Sequence, residues 1–308
     1  MAIEKKAVAF FVYNRPQITF RTFQKILSYS PKKIFIISDG PKLNETDRLK
    51  VEAVRQIINN EYSSANIDYL YRNENLGCRE SIVSGLKWVF NQVEECIILE
   101  DDCYPDLSFF NYCAELLSFY KSNEKVMSIG GYRPEKVNHE ESSSYHFSNY
   151  PSIWGWATWR RAFEGFDPSL TDWSEREGVD WLSQYLGDIR YARYWAYMLN
   201  AGKNGANDWD YAWAHHCWRR GGVAIRPRNN LIQNIGFGGD ATHTHEEDHP
   251  FSKIVASSIP LPLIHPKEIS LSSQKEQLIE NLVYSGTRTR QLLHFRKMAK
   301  EKSMKGME

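Results

Sequence analysis

From residue 7 to residue 130 the chain repeats one pattern: a short, mostly apolar run, then a longer stretch with apolar residues three or four apart. The runs lie at residues 7–12, 34–37, 67–71, 96–99 and 126–129. Between them Phe23, Ile26 and Leu27, then Val51, Val54, Ile57 and Ile58, then Ile82, Val83, Leu86 and Val89, and then Phe109, Cys113, Leu116 and Tyr120 mark helix faces. Pro16 suits a first helical turn and Asn44 a helix cap. Apolar strands alternating with amphipathic helices imply parallel βαβ units, with the sheet buried on both sides. The expectation is an α/β fold with a mixed, mainly parallel sheet and helices on both faces.

The pattern changes near Gly130. Residues 135–144 are polar and read as a loop; residues 152–163 are rich in Trp; a helical stretch is expected around residues 181–199, and short strands at residues 223–226 and 231–235. This divides the chain into residues 1–130, residues 131–272 of the same globule, and a helix over residues 273–308 that turns basic from Arg288. That last segment reads as a solvated helix or as a contact with an anionic membrane surface.

Composition excludes several classes. Lys plus Arg number 38 and Asp plus Glu 38, so no net field attracts a polyanion and nucleic acid is not expected as a partner. Five cysteines without a CxxC pair argue against a disulfide framework or a zinc knuckle and for a reducing compartment such as the cytoplasm. No apolar run approaches a membrane span, and the first apolar run is too short for a signal-peptide core.

In parallel sheets ligands gather at the carboxyl ends of the strands. Here those ends carry Asn14-Arg15, Asp39 and Glu100-Asp101-Asp102. Adjacent carboxylates repel unless a cation or donor sits among them, and oxygen ligands suit Mg2+ or Mn2+. Each site has a plainer reading. The triplet also suits an acidic turn before a helix, and Asp39-Gly40-Pro41 is good turn chemistry. Three polar strand ends on one rim outweigh those readings taken singly.

With these motifs in order, the chain resembles the GT-A-fold, nucleotide-sugar-dependent glycosyltransferases. The stretch from Ile98 to Phe110 is similar to the metal motif of the N-acetylglucosaminyltransferase I family, and the whole also looks like bacterial family-two glycosyltransferases. The resemblance covers roughly residues 7–245. It implies a metal ligand at Asp102, with Glu100 and Asp101 beside the donor, and uracil contacts from Arg15 and Asp39. It implies diphosphate donors at His243, with Arg79 as a second candidate. Trp209-Asp210 followed by Ile225-Arg226-Pro227 resembles the segment carrying the catalytic base. Asp208 stands just before, so the base is Asp210 or Asp208; Asp210 alone would read as a helix N-terminal charge. Trp154-Gly155-Trp156 resembles a Gly-Trp block, where Trp154 and Trp156 stack on sugars or pack in the core. His215 and His216 read as packed helix residues.

The resemblance implies transfer of a sugar from a UDP-sugar to a glycan, glycolipid or glycoprotein hydroxyl, with inversion and with Mn2+ or Mg2+, in bacterial glycan synthesis. Two rivals share such a scaffold. A sugar nucleotidyltransferase would carry a Gly-rich loop where this chain has Tyr13-Asn14-Arg15-Pro16. A catalytically inert nucleotide- or carbohydrate-binding protein would bind without turnover.

Overall fold

The computed structural model describes residues 3–61, 66–135, 142–237 and 250–284. Strands β1 (Val8–Val12), β2 (Ile34–Ser38), β3 (Ile67–Tyr71) and β4 (Glu95–Glu100) alternate with helices α1 (Pro16–Tyr29), α2 (Glu45–Glu61) and α3 (Cys78–Phe90). The four strands are parallel in the order β3-β2-β1-β4. The order turns back at β1, with Val12 opposite Ser38 and Phe11 opposite Glu100. The expected cap is present: Asn44 Oδ1 accepts the Asp47 N–H at 2.8 Å.

Both faces are covered because successive strand residues point in opposite directions. On one face Phe10 stacks on Phe23 of α1 at 5.9 Å, and Tyr29 stacks at 4.5 Å on Phe110 of α4 (Ser108–Phe119). On the other, Phe11 presses on Gly85 of α3, where an added Cβ would lie 2.6 Å from its ring.

The sheet continues with β8 (Trp156–Trp159), β6 (Val126–Gly130), β9 (Val223–Pro227) and β7 (Tyr145–Ser148), giving eight strands among the described residues. The strand β8 runs antiparallel between β4 and β6, and β7 is antiparallel to β9. A separate ribbon pairs β5 (Cys103–Pro105) with β10 (Ile232–Asn234). The strands β5, β7 and β8 were not expected from the sequence; β8 lay hidden in the Trp-rich block.

Helices α5 (Arg160–Phe163), α6 (Glu175–Leu186), α7 (Ile189–Lys203) and α8 (Asp210–Arg219) build the second half, and α9 (Ser273–Val283) closes it. The expected single helix around residues 181–199 is two helices, broken where Gly187 takes φ +75° and Asp188 caps α7. The buried Glu280 of α9 accepts from Trp195 Nε1 at 2.8 Å, so this helix is part of the globule. The basic stretch from Arg288 lies outside the described residues. Among the described residues no helix is long and apolar enough to cross a membrane.

Trp156 belongs to the core. It is 1% exposed, with ring centroids 5.7 Å from Trp209 and 5.5 Å from Trp213. Trp156→Ala is therefore expected to destabilise the fold by about 3–5 kcal/mol, the usual cost of emptying a buried Trp site. Urea unfolding checks this; a sugar-stacking Trp would instead lower ligand affinity at unchanged stability.

Candidate active site

A cavity of about 720 Å3 opens at the carboxyl ends of β1, β2 and β4, where the strand order reverses. That volume lies within the usual range for small-molecule sites. Its walls carry six acids, Asp39, Glu100, Asp101, Asp102, Asp208 and Asp210, and two bases, Arg15 and Lys42. The topology thus brings the polar ends of three strands together with the start of α8.

Arg15, just before α1, ties the end of β1 to the acidic triplet. Its Nε donates to Asp101 Oδ2 at 3.3 Å and its Nη1 to Asp102 Oδ2 at 3.0 Å, while Nη2 pairs with Asp101 Oδ1. The buried Thr22 hydroxyl adds a bond to the Asp101 carbonyl at 2.7 Å. Burial alone would disfavour the Arg15 cation, but the two carboxylates raise its pKa above the ordinary value. Three of its N–H donors therefore point at carboxylates, where a base carbonyl had been expected.

Asp39 is likewise engaged. Its Oδ1 accepts from the N–H of Gly40 at 2.9 Å and of Leu76 at 3.0 Å. Its Oδ2 accepts from Asn75 Nδ2 and the Gly77 N–H, each at 3.1 Å. A carboxylate has about four acceptor positions, so this set fills it. In this structure Asp39 fixes the loop before α3, and contact with a nucleobase N–H requires one of these donors to give way.

Burial, with Asp102 and Asp101 beside it, pushes the Glu100 carboxyl up to about 8. Burial also raises Asp101, against the pull of Arg15. Asp210 opens α8 and is pushed up to about 6, first by burial and then by the charge of Asp208. Cys78 lies between the two acidic groups: burial, then Glu100, Asp210, Asp208 and Asp102, push its thiol up.

Among the described residues no three Asp, Glu, His or Cys side chains form a metal cluster. The cavity instead offers Asp102 beside Glu100 within a surplus of negative charge. A hard divalent ion held by one or two carboxylates and completed by phosphate and water fits that donor set.

The remaining expected residues fall in different places. Trp154 lines the cavity and packs on Tyr132 at 4.6 Å and on Phe237 at 6.1 Å. Arg79 is not on the cavity wall; its guanidinium donates to the Gly202 carbonyl at 2.9 Å. His243, with His245 and His249, lies outside the described residues. His215 is 3% exposed and His216 Nε2 lies 3.0 Å from the Ala162 carbonyl, so both are packed as expected. Burial lowers the pKa of each.

The sequence reading missed Asn75, Asn207 and Gly236. Asn75 and Gly77 follow β3 as turn residues, a signal that was available. Gly236 was visible only as a glycine in a loop, yet an added Cβ would lie 2.4 Å from Asp102 Oδ2 and 2.6 Å from Arg15 Nη1. Gly236→Ala must therefore displace the Arg15–Asp102 bond. Losing a hydrogen bond between charged groups costs about 1.5–3 kcal/mol, so the variant is expected to be less stable by up to that amount. Urea unfolding of the purified variant measures this.

No family model matches the chain, and no curated protein matches it. Among solved structures it is similar to a mannosyltransferase from Pyrobaculum calidifontis in complex with GDP-Man and Mn2+. The identity there is 12%, over 70% of this chain and 74% of that one, with a TM-score of 0.39. It is also similar to a UDP-glucose pyrophosphorylase complexed with UDP-glucose, at 16% identity over 48% of this chain and 64% of that one, with a TM-score of 0.27. Likeness at this distance says nothing of chemistry, which has to come from the cavity's own residues.

Proposed function

We propose that the chain is a GT-A-type glycosyltransferase that moves a sugar from a UDP-sugar to an acceptor hydroxyl with inversion. The observation that carries this reading is the convergence of Asp102 and Asp210 on one cavity at the switch point of the sheet. The motif order in the sequence supports it. Asp102, with Glu100, would hold a Mn2+ or Mg2+ ion, which when bound neutralises charge on the leaving diphosphate as a Lewis acid. Asp101 serves through Arg15, which fixes the triplet. Asp210 takes the proton of the acceptor hydroxyl. The freed oxygen forms the new bond to the anomeric carbon while the old carbon–oxygen bond breaks, and its electron pair leaves with UDP. A carboxyl at about 6 suits this role, since a base works best near the ambient pH. Asp208 is the alternative base, and its charge helps to raise Asp210. Trp154 offers a ring to the transferred or accepting sugar. The acceptor is a glycan, glycolipid or glycoprotein in the bacterial cytoplasm; the basic segment from Arg288 is either solvated or a contact for an anionic membrane surface.

The test is incubation with a set of nucleotide sugars with and without Mn2+. Slow release of UDP without acceptor is the expected result. Binding without turnover would make the chain an inert nucleotide- or carbohydrate-binding protein. Pyrophosphate from UTP and a sugar phosphate would make it a nucleotidyltransferase.

A further inference from the structure

The N-terminus of α3 has no cap of its own. Gly77 precedes it with φ +79° and has no side-chain oxygen to accept first-turn N–H groups. The Arg79 N–H is taken instead by Asn207 Oδ1 at 3.1 Å, from 128 positions further along the chain. The Arg79 side chain donates as well, from Nη1 to the Gly202 carbonyl at 2.9 Å. Arg79 thus donates two bonds, one from its backbone and one from its side chain, to the segment at residues 202–207. The segments are closely apposed, since a Cβ on Gly77 would lie 3.2 Å from Asn207 Oδ1. Both segments line the cavity: Gly77, just before α3, with Cys78 and Ser81 of α3, and Asn207 with Asp208 and Asp210. Trp209, 3% exposed against Trp156, anchors the far end of the segment.

We propose that Arg79 and Asn207 form a clip that sets the Asp208–Asp210 segment against the first turn of α3, making Asn207 a positioning residue for the base. This rests on the transferase reading above. The physical reason is that a general base must stand within hydrogen-bond reach of the proton it takes, and a shift of ~1 Å can cost ~100-fold in rate. Asp210 starts a helix, so the loop before it decides where its carboxylate stands. Asn207 is the point at which that loop is bonded to the donor side.

The test compares Asn207→Ala, Asn207→Asp and Arg79→Ala in the full chain, by amide hydrogen exchange, UDP titration in Mn2+ and turnover of the nucleotide sugar. Asn207→Ala is expected to speed exchange at the Arg79 amide and across residues 204–211. It is expected to leave UDP affinity unchanged and to lower turnover ~10- to 100-fold. Asn207→Asp is expected to restore slow exchange and turnover, because its carboxylate accepts the same N–H, with the acid limb of turnover moved to higher pH by the added charge. Arg79→Ala is expected to loosen the loop in the same way with the cap intact. Unchanged Arg79 exchange in Asn207→Ala overturns the clip. Faster exchange with full turnover overturns the positioning role. Lost UDP affinity in Arg79→Ala places Arg79 at the diphosphate and overturns its half of the clip. A wild-type protein that turns over no nucleotide sugar removes the transferase reading instead. The clip is then upheld by faster exchange in Asn207→Ala with recovery in Asn207→Asp, and overturned without both.

Discussion

Asp210→Asn is expected to bind UDP in Mn2+ as tightly as the wild type and to transfer sugar about 10²–10⁴-fold more slowly, the usual cost of losing a positioned general base. The amide keeps the shape of the carboxylate but cannot take a proton at neutral pH. A pH profile adds a second check. Burial and Asp208 push the Asp210 carboxyl up to about 6, and a base acts only when deprotonated. Turnover should therefore fall as the pH drops through about 6 and level off above it. Asp208→Asn removes a neighbouring negative charge, so the acid limb should move to lower pH. In Asp210→Asn the limb should vanish. Near-normal transfer in Asp210→Asn with an inactive Asp208→Asn would move the base to Asp208. Near-normal transfer in both would rule out a carboxylate base in this loop.

Asp102→Ala is expected to lose Mn2+-dependent UDP binding and turnover together. Lewis-acid stabilisation of a leaving diphosphate is worth several kcal/mol, about three orders of magnitude in rate. The fold should survive, because Arg15 keeps its two bonds to Asp101. Calorimetry with UDP, with and without Mn2+, separates this failure from that of Asp210→Asn without knowledge of the acceptor. Unchanged Mn2+-dependent binding in Asp102→Ala would transfer the metal to Glu100.

The first 130 residues were legible because their signals are local. An apolar run, a turn residue and a capping Asn each act on near neighbours, and β1 to β4 with their helices follow from them. The polar strand ends could be placed on one rim because parallel strands all run in the same direction. The roles of those same residues were less legible. The resemblance implies base contacts from Arg15 and Asp39; the structure adds that they bond Asp101, Asp102 and the loop at residues 75–77. Those partners are decided by how β1, β4 and the start of α3 come together.

The α/β alternation, the acidic end of β4 and the helix that begins at Asp210 follow from residue order alone, since each is written in the spacing of adjacent residues. Packing settled that Trp156 is core while Trp154 faces the cavity, because two tryptophans at alternate positions look alike until β8 is seated between β4 and β6. It also decided that Asn207 caps a helix 128 positions away and that Gly236 is pressed against Asp102 and Arg15. Close approach between distant segments depends on packing, and no local pattern records which backbone will be pressed against which side chain.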